Sequence, residues 1–477
     1  MTTIPELDGM GLMLALALPW LAGVVTVRAL LGPLRVTLLL GHGFMVGQLL
    51  IILLLLAWDS LGLRLAFAPL AWVLGALTAL TALLVLSWRR NTPSPEPELT
   101  VGWRDALWLL PLLAFLAERA LSLAGEVTMR PLFAWDAWMN WAPRAVVWFH
   151  EGALATFVMP EQWLAATADP APYTLGNPRA NVYPPGVPLL LLWPMLGGGT
   201  YDHNLLYLPW LLLPVAAGLA LWGHLRQLCS PRAVCALAVF ALLSQPLANT
   251  HTALPGYADL WLAVAFGLGG MALAEWHASG QWRWGVLAAL LALCCVLFKV
   301  PGLAYAAILL AAAGLLLWRP PVRWVGWFLG SALALTAVGL LLGLHPDAAQ
   351  FGADHLTIRL PGALPTLKIA PAPLLPLLWD SFFLTANWHL FWLLLFTCLV
   401  AGLWLRGYKS LQNIALVVFV CGLGVLLAVF GLTHYFRQAA NGVTLDRALL
   451  YVVPLGVYVA FTQLATLWHA NRAAEAR

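Results

Sequence analysis

Residues 183–199 read YPPGVPLLLLWPMLGGG, and whether this segment crosses a membrane sets the fold of everything after it. Its apolar part runs for about 15 residues, short of the roughly 20 that an α-helix needs to cross the hydrocarbon core. The basic residues point the same way. Arg28, Arg35, Arg89, Arg90, Arg226, Arg232, Arg283, Arg319, Arg323, Arg406, Lys409, Arg472 and Arg477 fall in alternate connections between apolar runs. The positive-inside rule makes those connections cytoplasmic. A crossing at 183–199 would move Arg226 and Arg232 outside and break the alternation. The segment is therefore expected to be a re-entrant or interfacial helix on the outer side.

The composition supports the membrane context. Of 477 residues, 62% are hydrophobic and 9% charged, with mean hydropathy +0.86. Soluble domains carry about 25% charged residues, so a water-soluble fold is excluded. Apolar runs long enough to span recur near 10–31, 36–57, 66–88, 104–125, 204–225, 233–250, 257–276, 284–298, 302–318, 324–344, 388–405, 411–432 and 448–468. The expectation is an all-α polytopic membrane protein of about 13 transmembrane helices, N-terminus outside and C-terminus cytoplasmic. No basic stripe with interleaved aromatics exists away from the membrane flanks, which argues against nucleic acid. The N-terminal MTTIPELDGM has no basic residue before the first apolar run, unlike a cleavable signal peptide. Cys229, Cys235, Cys294, Cys295, Cys398 and Cys421 lie in or beside apolar runs, with no disulfide or zinc spacing.

The remaining polar material collects in outer loops at 126–203, 251–259, 345–387 and 433–447, while the cytoplasmic connections are short apart from the Pro-rich linker 89–100. A chain whose informative residues all face one compartment suits an enzyme working at that face. In FAWDAWMNWAPRAVVWFHEG (133–152), Asp136 sits among tryptophans after a span. One reading is a helix N-cap within an aromatic belt; the other is a general base at membrane height. The segment from Ala137 to His150 can form an interfacial helix offering Trp138, Trp141, Val146, Trp148 and Phe149 to lipid. His251 and Asp259 flank a Pro-Gly turn in HTALPGYADLWLAV (251–264), where Asp259 caps a helix, helps bind an acceptor or orients a metal. Lys299 in LFKVPG (297–302) either snorkels or meets an anion beside a helix break. His345, Asp347, Asp354, His355, Arg359 and Lys368 populate the 345–387 loop without a metal-ligand spacing. Arg447, close to Arg437, opens the last span where a cation opposes the helix dipole, so it should answer an anion such as phosphate.

The order of these pieces resembles the GT-C membrane glycosyltransferases, the superfamily of aminoarabinose transferases, protein O-mannosyltransferases and oligosaccharyltransferases. The matching elements are WDAW, YPPGVPLLLL, GYADLWLA, KVPG and DRALLYVVP, over roughly residues 104–470. The resemblance implies a catalytic module at 104–344 that carries outer loop 126–203. Residues 1–103 precede it with three spans and the linker, and 345–477 follow with an outer loop and the C-terminal spans. It further implies an inverting transfer of a sugar from a polyprenyl phosphate or diphosphate to a glycan, lipid or protein acceptor, at the periplasmic face of a bacterial inner membrane. Asp136 would be the general base. Lys299, Arg447, Arg144 and Arg359 would hold the donor phosphate, and Asp259, His251, Tyr183 and Tyr257 would bind the acceptor or the rest of the substrate. Metal dependence varies across the superfamily, so the cofactor stays unknown and a divalent cation open. The competing readings are a glycan ligase or polymerase, and a transporter or flippase of lipid-linked sugars; the latter predicts mid-span charges and inverted repeats.

Overall fold

The computed structural model describes residues 5–88, 103–167, 172–318, 357–358 and 367–475. The chain is built almost wholly from helices. Its one ladder among the described residues pairs Thr357–Ile358 with Leu367–Lys368, antiparallel. In chain order the first helices are α1 (Gly9–Leu31), α2 (Val36–Ser60), α3 (Phe67–Trp88), α4 (Trp103–Met129), α5 (Ala142–Glu151), α6 (Pro160–Leu164) and α7 (Gly186–Gly198). There follow α8 (Leu208–Gln227), α9 (Arg232–Leu243), α10 (Pro246–Ala253), α11 (Asp259–Ser279), α12 (Arg283–Phe298) and α13 (Gly302–Trp318).

Eight helices among the described residues are long and apolar enough to cross a membrane, and a ninth span results if α9 and α10, bent by 58°, are one. The eight coincide with the runs at 10–31, 36–57, 66–88, 204–225, 257–276, 388–405, 411–432 and 448–468. This is the pattern of a multi-pass membrane protein. The bent pair occupies 233–250, where Pro246 lacks the N–H that would continue the helix. The runs at 284–298 and 302–318 form apolar helices of 16 and 17 residues, shorter than the eight. α4 covers 104–125 but is not among the eight, and the run at 324–344 lies outside the described residues.

The chain divides into two compact units. The first comprises residues 1–224, 249–265 and 293–299; the second comprises 225–248, 266–292 and 300–477. In the first unit α1 packs on α2, α3 and α7, and its contact with α2 is the most extensive. α2 bears small residues of that contact. Its Gly43 and Gly47, four residues apart, receive α1 so closely that a side chain at Gly47 would meet the Pro19 carbonyl. Small residues at this spacing let helix backbones approach, which is how helices associate when lipid removes the hydrophobic drive between them. A few residues away α2 meets α8, where His42 Nε2 lies 2.8 Å from His224 Nε2.

α7 carries the segment 183–199. At 13 residues it is about 20 Å long, well short of the bilayer core. Nearly every residue from Gly186 to Gly198 is buried, so of the two expected placements, re-entrant or interfacial, a helix lying open to lipid at the interface does not describe it. A helix apolar on every face must be covered on every face. Here the cover is protein: the Trp193 indole donates to the Ala15 carbonyl at 2.7 Å, and its ring packs 4.9 Å from Phe67.

In the second unit the helix Val453–Glu475 packs on Phe391–Arg406 and α9. The side chain of Asp446, on the short helix Val443–Leu449, accepts hydrogen bonds from Ser381 Oγ and, at 2.6 Å, from Asn387 Nδ2. The unit contains Arg447.

The α1–α2 contact gives a test of the packing. Gly47→Val should lower stability by about 1–3 kcal/mol through overpacking, whereas Gly75→Val in α3 faces open space and should change little. Thermal unfolding of the two purified variants in the same detergent measures the difference.

Candidate functional site

The stretch 133–152 folds as one broken helix. Trp135 and Asp136 open it, residues 137–141 form a π turn, and α5 continues to Glu151. The π bond runs from the Ala142 N–H to the Ala137 carbonyl, five residues back. Pro143 supplies the reason: it has no N–H to give Met139, and its ring would crowd that carbonyl in an α turn. Asp136 has helical backbone angles, φ −59° and ψ −37°, and makes no capping bond to this helix. The N-cap reading of Asp136 therefore does not describe it.

The side chains separate into two sets. Phe133, Trp135 and Trp138 are exposed, while Asp136, Asn140 and Arg144 are buried. Trp141 and Trp148, expected to face lipid, are also buried. Trp148 gives its indole N–H to the Ala155 carbonyl at 3.0 Å, and the Trp141 ring lies tilted 5.3 Å from the Tyr183 ring. The burial of polar groups at four-residue intervals was readable in the sequence as Asp136-x3-Asn140-x3-Arg144. Asn140 itself was not picked out; it accepts a hydrogen bond from Asn177 Nδ2 at 2.9 Å.

Arg144 is the most informative member. Only 7% of it is exposed. One guanidinium N–H donates to the Tyr183 carbonyl at 2.8 Å, and the group lies 5.0 Å above the Trp148 ring. Its Nε has no hydrogen-bond partner, and no carboxylate among the described residues pairs with it. Burial pushes the guanidinium down to about 10, which still leaves it charged at neutral pH. A buried, uncompensated cation costs free energy, so its natural complement is an anion.

The other sequence elements gather in the same unit. At Gly256, φ is +90° and the Cα abuts Ala137, leaving no space for a side chain between the 254–259 turn and the helix that bears Asp136. Trp210 holds that turn by donating to the Tyr257 carbonyl at 2.9 Å. The His251 and Tyr257 rings meet at 4.7 Å. Asp259, fully buried, takes the Lys299 ammonium at 2.6 Å, with His251 Nδ1 3.9 Å from its other oxygen. Gly186, the glycine of YPPG, lies so close to the Leu297 carbonyl that any side chain would collide with it. The WDAW, YPPG, GYAD and LFK stretches are thus joined by direct contacts. Lys299, expected at a phosphate, forms its ion pair here with a carboxylate of its own chain.

Arg447 belongs to the second unit, and Arg359, His345, Asp347, Asp354 and His355 lie outside the described residues. No group of three or more His, Cys, Asp or Glu side chains that could hold a metal occurs among the described residues.

The Lys299–Asp259 pair makes a sharp prediction. Lys299→Met strands a buried carboxylate and should cost about 3–5 kcal/mol, while Lys299→Met with Asp259→Asn should recover most of the loss. Denaturation of the single and double variants in detergent reads the coupling directly.

Comparison of the chain with protein-family models finds no match, and no curated protein or solved structure matches it either.

Proposed function

We propose that the chain is an integral membrane glycosyltransferase. It moves a sugar from a polyprenyl-phosphate or polyprenyl-diphosphate donor to an acceptor at the outer face of the membrane. The observation that carries this reading is the pairing of opposites on one broken helix. Asp136 is a buried carboxylate, and Arg144 is a buried guanidinium with no carboxylate of its own. An inverting transfer needs both. Asp136 takes the proton of the acceptor hydroxyl as that oxygen bonds to the anomeric carbon. The bond from that carbon to the phosphate oxygen breaks on the opposite side, and the lipid phosphate departs with the electron pair. Charge grows on the leaving phosphate as the sugar becomes oxocarbenium-like, and Arg144 is preorganised to receive it. The reading needs neither Arg447 nor Arg359.

His251, Tyr257 and Tyr183 lie beside these groups and are assigned to the sugar or the acceptor. Exposed Phe133, Trp135 and Trp138 suit the depth where a lipid-borne donor meets water. The proposed topology has 13 spans in a bacterial inner membrane, N-terminus outside, and the site on the periplasmic side. A second reading, a transporter or flippase of lipid-linked sugars, draws on one feature: the 58° break between α9 and α10, since broken helices build many transporter sites.

Purified protein supplied with radiolabelled polyprenyl-phosphate sugars and membrane acceptors separates the two. Transfer should fall at least ~100-fold in Asp136→Asn, the scale of a lost general base. Undiminished transfer by that variant refutes the assignment, and donor crossing the bilayer without any transfer favours the flippase.

A further inference from the structure

Asn140 stands between Asp136 and Arg144 on the broken helix, about one turn from each, and is the neutral member of the three. Only 4% of it is exposed. An amide side chain brings two N–H donors and an acceptor oxygen, and burial makes each one left unmet costly. Among the described residues the Asn140 side chain makes a single hydrogen bond, in which its oxygen accepts from Asn177 Nδ2 at 2.9 Å. The Asn177 side chain makes no other bond among them.

The amide pair therefore keeps a donor and an acceptor to spare. Asn140 retains its N–H2 group, and Asn177 retains its carbonyl oxygen. Exchanging nitrogen and oxygen in both amides leaves the same complement, one donor group and one acceptor, so the result does not turn on their orientation. One residue on, the buried indole N–H of Trp141 also has no hydrogen-bond partner. A tie between the 172–177 segment and the helix accounts for the bond that is made, but not for the groups left over. A hydroxyl, which accepts one hydrogen bond and donates another, answers both amides at once.

We propose that Asn140 and Asn177 hold the 2-hydroxyl of the transferred sugar, the hydroxyl on the carbon next to the anomeric centre. The assignment rests on the glycosyltransferase reading. In an inverting transfer the acceptor oxygen, the anomeric carbon and the leaving oxygen lie in line. With Asp136 at the acceptor end and Arg144 at the phosphate end, a side chain between them on the same helix meets what the anomeric carbon itself carries. Its heavy-atom neighbours in the sugar are the ring oxygen and C2. The ring oxygen can only accept, whereas a 2-hydroxyl takes a hydrogen bond from one amide and gives one to the other. The substrate class is thus an aldose with a free 2-hydroxyl. Hydrogen bonds at that hydroxyl strengthen as the sugar becomes oxocarbenium-like, so the pair acts on the rate as well as on binding. A 2-deoxy sugar leaves both amides unanswered, the kind of mismatch that a polar site rejects most strongly.

Transfer assays with paired donors test it. Polyprenyl-phosphate hexoses and pentoses, each beside its 2-deoxy counterpart, are supplied to the purified wild type, Asn140→Ala and Asn177→Ala. The quantity read is the ratio of kcat/KM for a hydroxyl donor to that for its deoxy counterpart. That ratio should fall at least ~10-fold from wild type in each variant, the scale of a lost polar contact to a substrate hydroxyl. A purely structural tie would instead lower both donors together and leave the ratio in place, which refutes the proposal. Loss of all transfer in both variants marks the same structural role and refutes it too. A wild type that transfers no sugar from any donor is a separate result: it overturns the glycosyltransferase reading, and the sugar contact falls with it.

Discussion

The first unit depends on one buried ion pair. Asp259 has no exposed surface, and a carboxylate there stays ionised only if a cation comes to it. Lys299 comes from 40 residues away in the chain, so the pair locks the start of α11 to the residues that follow α12. Two glycine contacts then extend the lock. Gly186 seats the YPPG segment against Leu297, and Gly256 seats the 254–259 turn against Ala137. Neither contact tolerates a Cβ, so the ion pair and the helix that bears Asp136 are joined by a run of close contacts.

Two cations of this unit play opposite parts. Lys299 is satisfied by its own chain and serves as a bolt. Arg144 has a carbonyl and an aromatic ring but no carboxylate, and its planar fork suits bidentate recognition of phosphate. The difference comes from partners, since both side chains are largely buried. In the proposed site it is the reason to favour Arg144 among the four cations, Lys299, Arg447, Arg144 and Arg359, that the sequence suggested for the donor phosphate. The π turn before Pro143 contributes by altering the helical phase between Asp136 and Arg144, so that both point inward while Trp135 and Trp138 stay out.

Much of the membrane architecture was legible in the sequence because some 20 consecutive apolar residues have few other uses. α1, α2, α3, α8 and α11 lie close to where the apolar runs placed them. α7 shows the limit. Apolarity on every face demands cover but does not say whether lipid or protein provides it, and in 186–198 it is protein. Trp141 and Trp148 turned inward for a related reason: an amphipathic pattern shows two faces, while tertiary contacts decide which is wet. The motif strings of the candidate site were visible one by one, yet the Lys299–Asp259 pair was not, since no local pattern records a partner 40 residues away. Asn140 escaped notice because an amide between aromatics carries no charge signal. The four-residue spacing of Asp136, Asn140 and Arg144 could have found it.

The central claim is that Arg144 is held charged and uncompensated to receive a phosphate. The most direct measurement is equilibrium binding of a polyprenyl phosphate without sugar, by native mass spectrometry, to the wild-type chain and to Arg144→Met. The account predicts saturable binding to the wild type that is lost in Arg144→Met and kept in Asp136→Asn, whose guanidinium is untouched. Equal binding by the wild type and Arg144→Met would contradict it.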